Sequence, residues 1–201
     1  MRSSLTLALA AAVLAGLDAR PAAAQTPATT ATTATTTTTT TTTTVVAPAV
    51  GEAAPDFTLP WADATGGRTA PVKLSDLKGK VVVVAFYPKD RTSGCTAELT
   101  KFRDEYASLF GDGVVVVPVS ADSMDSHVSW ASEMKFPFAL ASDPSLSIAE
   151  KYGSRVTGRP FANRTVFVVG KDGHVAWREM KFNALNEDAY TALAAAVAKA
   201  R

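Results

Sequence analysis

Apolar residues along the chain come in two rhythms. Unbroken runs at Val81–Phe86, Val114–Val119 and Thr165–Val169 predict buried strands, the first of them ended by Pro88. Lys171-Asp172-Gly173 joins the third run to His174–Trp177, a turn between two strand patterns that predicts a hairpin. The other rhythm is helical. After Cys95, the residues Leu99, Phe102, Tyr106, Leu109 and Phe110 recur at helical spacing. A second helix is predicted from Ser123 through Met134, with Ser126 and His127 on or near its polar side, and an Ala-rich helix closes the chain over Ala189–Ala198. Phe138–Leu140 reads as a short strand and Ser145–Lys151 as a short helix. Near the start, FTLP at Phe57 and PVKL at Pro71, separated by a turn at Gly66-Gly67, read as an N-terminal hairpin. The order is that of an α/β chain, a central mixed sheet flanked by helices.

The first 45 residues follow neither rhythm. Arg2, an apolar run from Leu5 to Leu17 and small residues ending Ala22-Ala23-Ala24 make residues 1–24 a secretory signal peptide, cleaved before Gln25. The run is too short to span a membrane, so no stable membrane insertion is expected after cleavage; an uncleaved anchor is the alternative. Residues 25–45 are nearly all Thr with some Ala and a proline, too poor in apolar surface to offset the entropy of ordering, and read as a disordered linker. Its threonines also invite O-glycosylation. Residues 46–201 are one domain by length. Export places it in a periplasm or outside the cell. Loss of Arg2, Arg20 and Asp18 with the signal takes Lys+Arg from 20 to 18 and Asp+Glu from 19 to 18. A net charge near zero gives no reason to expect a nucleic-acid partner.

Chemistry concentrates at the only cysteine in the chain. Cys95 follows a buried strand and a Thr, Ser and Gly loop, and stands at the first turn of a helix, where unpaired N–H groups favour a thiolate. Moving a thiol from its free value near ~8.5 to ~6 takes about 3.4 kcal/mol, and a helix terminus supplies about 0.3–1 kcal/mol. A cation is therefore required. His127 and His174 are poorly placed for it, whereas Arg164 stands directly before the strand Thr165–Val169.

Pro88, Thr92 and Cys95 form P-x-x-x-T-x-x-C, written PKDRTSGC and followed by TAELTKFRD. With FTLP at Phe57, LSDLKGK at Leu74 and NRTVFVV at Asn163, this resembles the peroxiredoxins of the AhpC/TSA superfamily, most closely the bacterioferritin-comigratory-protein (Q-type) branch. The resemblance implies a thioredoxin-like fold and a thiol-dependent peroxidase without metal, haem or flavin. It makes Cys95 the nucleophile, Thr92 a hydrogen-bonding partner of sulfur and peroxide, and Arg164 the cation. Pro88 would cover the pocket, Gly94 would bring its N–H and that of Cys95 onto the peroxide, and Glu98 would hold Arg164. Plainer roles stand beside these: a buried small hydrophobe for Cys95, a cap for Thr92, a first-turn acid for Glu98, a solvated strand-end charge for Arg164. Lys89, Arg91 and Arg103 read as surface charges, and Trp130, Trp177, Met124 and Met134 as core or interface.

The chain departs from the branch at Thr100, where many relatives carry a second cysteine. No intramolecular disulfide can form, so the resemblance implies an external thiol reductant: thioredoxin-like, glutaredoxin-like or of low molecular weight. The expected assembly is a monomer or weak homodimer. The competing reading is an exported redox-sensing or binding module on the same fold with little turnover. A dithiol reductase and a copper carrier lack their cysteines, and a Cys/His hydrolase lacks a placed histidine.

Overall fold

The computed structural model describes residues 46–67 and 70–201. The signal peptide and Thr-rich linker expected over residues 1–24 and 25–45 lie outside the described residues. Nine strands and five α-helices follow in order among the described residues, with one 3-10 helix at Leu74–Leu77: β1 Thr58–Leu59, β2 Trp61–Asp63, β3 Gly66–Gly67, β4 Val72–Lys73, β5 Val82–Phe86, α1 Ser93–Asp104, α2 Tyr106–Leu109, β6 Val115–Ser120, α3 Met124–Met134, β7 Leu140–Ser142, α4 Ser147–Lys151, β8 Thr165–Val169, β9 Val175–Glu179 and α5 Glu187–Ala200. The main sheet runs β3-β2-β7-β6-β5-β8-β9. β5, β6 and β7 are parallel neighbours, and β8, β9 and β2 join them antiparallel.

The unbroken run at β5 has a direct cause. Val81, Val83 and Ala85 pack into a cluster with Leu99 and Phe102 of α1, Trp130 of α3 and Leu193 of α5. Val82, Val84 and Phe86 point the other way, onto Phe167, Ile148, Tyr152 and the β1–β4 hairpin. Both faces are covered, so both sets of alternating side chains must be apolar. Pro118 is tolerated in central β6 because its missing N–H falls on the β7 side, where pairing begins only at Val119; the residues bonded to β5, such as Val115 and Val119, flank it.

The N-terminal pairing is as expected, with Thr58 opposite Lys73 and Leu59 opposite Val72. The turn is not. Gly66-Gly67 is itself a strand paired with Ala62 and Asp63, and the chain turns at Ala64-Thr65. The excursion exists because β2 also pairs with β7 and so extends the main sheet. That pairing, with the one to β6, places β7 two residues later than the apolar run suggested. His127 is a correction of another kind. It lies fully buried on α3, in phase with Trp130 and Ala131, and not on a polar face. Among the described residues no helix is long and apolar enough to cross a membrane.

Candidate active site

Central strand β5 delivers the chain to the site. Tyr87 still pairs with the sheet, its N–H donating to the Val119 carbonyl at 3.0 Å. Pro88, lacking an N–H, cannot extend the ladder. The loop it opens ends at Thr92, the N-cap of α1, whose carbonyl accepts the first helical bond from the Thr96 N–H at 2.8 Å. Ser93, Gly94 and Cys95 therefore make the first turn, whose N–H groups have no acceptor within the helix. Cys95 itself is fully buried, against Leu99 and the β5 side chains.

Arg164 comes from the residue before β8, the strand antiparallel to β5. Its Nη2 lies 3.4 Å from Cys95 Sγ, and its Nη1 donates to Glu98 Oε2. The pairing of Phe86 with Thr165 brings Arg164 to Cys95 across 69 positions of sequence. Gly94 has a use the sequence did not reveal: a Cβ there would meet Arg164 Nη2 at 3.0 Å. The glycine leaves room for the guanidinium to cross the helix start.

Glu98 has no exposed surface and its Oε1 has no hydrogen-bond partner among the described residues. Burial pushes its carboxyl up to about 7, against the opposing pull of the Arg164 charge and bond. Burial alone would lower Arg164, but Glu98 and Cys95 outweigh it and raise it. The guanidinium is thus fixed beside the sulfur and only partly exposed.

The structure thus brings Cys95, Arg164, Glu98 and Gly94 together. Thr92 is at the helix start, but its hydroxyl donates to the Lys89 carbonyl at 3.0 Å and makes no cap bond. Its donor is committed, so what remains is the capacity to accept. Pro88 lines an open cleft with Lys89, Ala121, Asp122, Pro160 and Phe161. No group of three or more His, Cys, Asp or Glu side chains among the described residues could hold a metal ion.

A buried polar network beneath the loop was not read from the sequence. Asp90 accepts from the Tyr87 hydroxyl at 2.7 Å and the Ser126 hydroxyl at 2.6 Å, and lies 3.0 Å from His127 Nδ1. Burial would raise Asp90, but its bonds with His127, Ser126 and Tyr87 hold it below the usual carboxylate range. The available signal was the phase of His127 with Trp130 and Ala131. Arg91, taken as a surface charge, reaches Ser129 at 2.9 Å and Glu133 at 3.2 Å on α3.

Comparison with known proteins agrees in sequence and structure. The model of the AhpC/TSA family matches residues 50–178. A bcp protein of Coxiella burnetii is 39% identical over 140 residues, covering 66% of this chain and 89% of its own. The peroxiredoxin Bcp of Bacillus subtilis is 35% identical over 140 residues, covering 66% and 86%. A chloroplastic peroxiredoxin Q of Sedum lineare is 41% identical over 127 residues, covering 62% and 65%. Among solved structures, the peroxidoxin BcpB of Mycobacterium tuberculosis superposes with a TM-score of 0.65 at 28% identity, covering 77% of this chain and 99% of that one.

Proposed function

The chain belongs to the AhpC/TSA family, in the branch of Bcp and peroxiredoxin Q, and from that premise we propose how its residues divide the work of a thiol-dependent peroxidase. Cys95 attacks as the thiolate. Its sulfur takes one oxygen of a hydroperoxide, the S–O bond forms as the O–O bond breaks, and the other oxygen leaves as alkoxide or hydroxide and takes a proton to become alcohol or water. Cys95 is left as a sulfenic acid. Arg164 holds the thiolate and the departing charge, and Glu98 holds Arg164. The N–H groups of Gly94 and Cys95 donate to the peroxide, and the Thr92 oxygen accepts from its O–H. Pro88 keeps water from one side. The observation that carries this reading is the 3.4 Å approach of Arg164 Nη2 to Cys95 Sγ.

A second thiol has to complete the cycle, because Cys95 is the only cysteine of the chain. An external thiol attacks the sulfenic sulfur, releases water and leaves a mixed disulfide, which a further thiol reduces. Thioredoxin-like, glutaredoxin-like and low-molecular-weight thiols all have this chemistry. The signal reading of residues 1–24 favours an exported protein, periplasmic or secreted, with residues 25–45 as a spacer and the enzyme a monomer or weak homodimer. In that oxidising setting the reductant must be supplied locally.

The test is single-turnover mixing of reduced protein with limiting hydrogen peroxide, followed by free-thiol loss and intact mass. The expected outcome is consumption far faster than by a free thiol, with gain of one oxygen, and neither in Cys95→Ser. The lack of a second cysteine favours one other reading, a redox sensor with little turnover. Fast oxidation with no catalytic cycling under any of the three thiol classes would support it.

A further inference from the structure

The loop between β5 and α1 hangs from α3 by a set of buried bonds that the peroxidase reading leaves unused. Asp90 is their hub. One carboxylate oxygen takes the Tyr87 hydroxyl, and the other takes the Ser126 hydroxyl and faces His127 Nδ1. Its backbone N–H donates to Asp122 Oδ2 at 2.9 Å, an oxygen that also receives the Ser120 hydroxyl at 2.8 Å. An ionised carboxylate can only accept, so His127 donates to it through Nδ1. Its Nε2 is buried with no hydrogen-bond partner among the described residues.

This arrangement is costly as a source of stability. A buried carboxylate has to be paid for by its donors, and an apolar plug would fill the same corner at least as well. What the network adds is direction. Asp90 lies between Lys89, whose carbonyl holds the Thr92 hydroxyl, and Arg91, which adopts a left-handed φ of 60° and reaches across to α3. With both oxygens and the N–H of Asp90 fixed, the Lys89 carbonyl is fixed, and so is the hydroxyl that rests on it.

We propose that Asp90 and His127 are positioning residues for the peroxide step. They lock the Lys89–Thr92 loop onto α3 so that the Thr92 oxygen stays where it can accept from the bound peroxide. Arg164, the cation beside the sulfur, bonds Glu98 and Cys95 and makes no bond to this network. The inference rests on the peroxidase reading above, and it separates two rates that a general loss of structure would move together.

The experiment measures both rates on the full chain: single-turnover consumption of hydrogen peroxide, and alkylation of Cys95 by iodoacetamide at fixed neutral pH. In His127→Ala the peroxide rate constant is expected to fall about 10- to 100-fold, with alkylation within about twofold of the wild type. His127→Asn, whose side-chain N–H can stand near the Nδ1 position, is expected to restore most of the peroxide rate. Arg164→Ala is the opposite control and loses both rates. If His127→Ala does not fold, Ser126→Ala carries the test: it removes one bond to Asp90 and should cost about threefold in the peroxide rate alone. An unchanged peroxide rate in a folded His127→Ala or Ser126→Ala, or equal losses of both rates, overturns the proposal. A wild-type protein no faster than a free thiol instead overturns the peroxidase reading, and this inference with it.

Discussion

Glu98 shows how much one residue's surroundings decide. Its carboxyl is sealed from solvent, with one oxygen on Arg164 and the other without a partner among the described residues. Burial moves it from 4.5 to about 7. Its folded value therefore lies above its unfolded one, and the folded protein holds a proton over a range in which the unfolded chain has released it. The resulting stabilisation is complete below the unfolded value and is lost as pH rises through the folded one. A difference of about 2.5 units, at 1.36 kcal/mol each, amounts to about 3 kcal/mol. Urea titrations of the wild type should therefore show stability falling between about pH 4.5 and 7. Glu98→Gln keeps the shape without the titration and should flatten that fall. A slope unchanged in the variant would assign the titration to another group. The identity of Glu98 was legible, because it lies one turn after Cys95. Its stranded oxygen was not, since that depends on how α1 packs against the sheet.

The three long helices α1, α3 and α5 differ at their starts. Ser123 accepts from the Ser126 N–H at 3.3 Å and Asn186 from the Asp188 N–H at 3.0 Å, ordinary side-chain caps. Thr92, the N-cap of α1, makes no such bond and spends its hydroxyl on Lys89. Asn186→Ala should then cost about 1 kcal/mol by chemical denaturation and leave the peroxide rate unchanged. Thr92→Val should do the reverse, with little change in the denaturation midpoint and a peroxide rate lowered at least tenfold, the scale of a lost transition-state contact. Equal stability losses in the two variants would make Thr92 a cap after all. At this scale the sequence was informative wherever one rhythm ran long enough, as at β5, α1 and the β8–β9 hairpin. It failed where a strand took its register from a distant partner, as β2 and β7 do. It also failed where a polar residue took a core position in helical phase, as His127 does.

Over the whole molecule, the nucleophile is part of the core. Cys95 belongs to the same apolar cluster as Val83, Leu99 and Phe102, closed on one side by Trp130 and on another by Tyr190 and Leu193 of α5. Such a sulfur reacts readily only with what fits the space beside Arg164. A peroxide is small enough; the Cys95 of a second copy is not, because disulfide formation needs the two Cβ atoms within about 4.5 Å. The chain has no other cysteine to offer, so the sulfenic acid must persist until a thiol from outside reaches it. Oxidation with equimolar peroxide should therefore leave monomer on a non-reducing gel, with intact mass showing one added oxygen per chain. Added monothiol should then produce a single adduct per chain and, in excess, restore the reduced mass. Turnover should rise in proportion to thiol concentration wherever the resolving step limits the cycle. A disulfide-linked dimer at equimolar peroxide would mean that the first turn of α1 opens far enough to expose Cys95, and the resolving step would then be set by that opening.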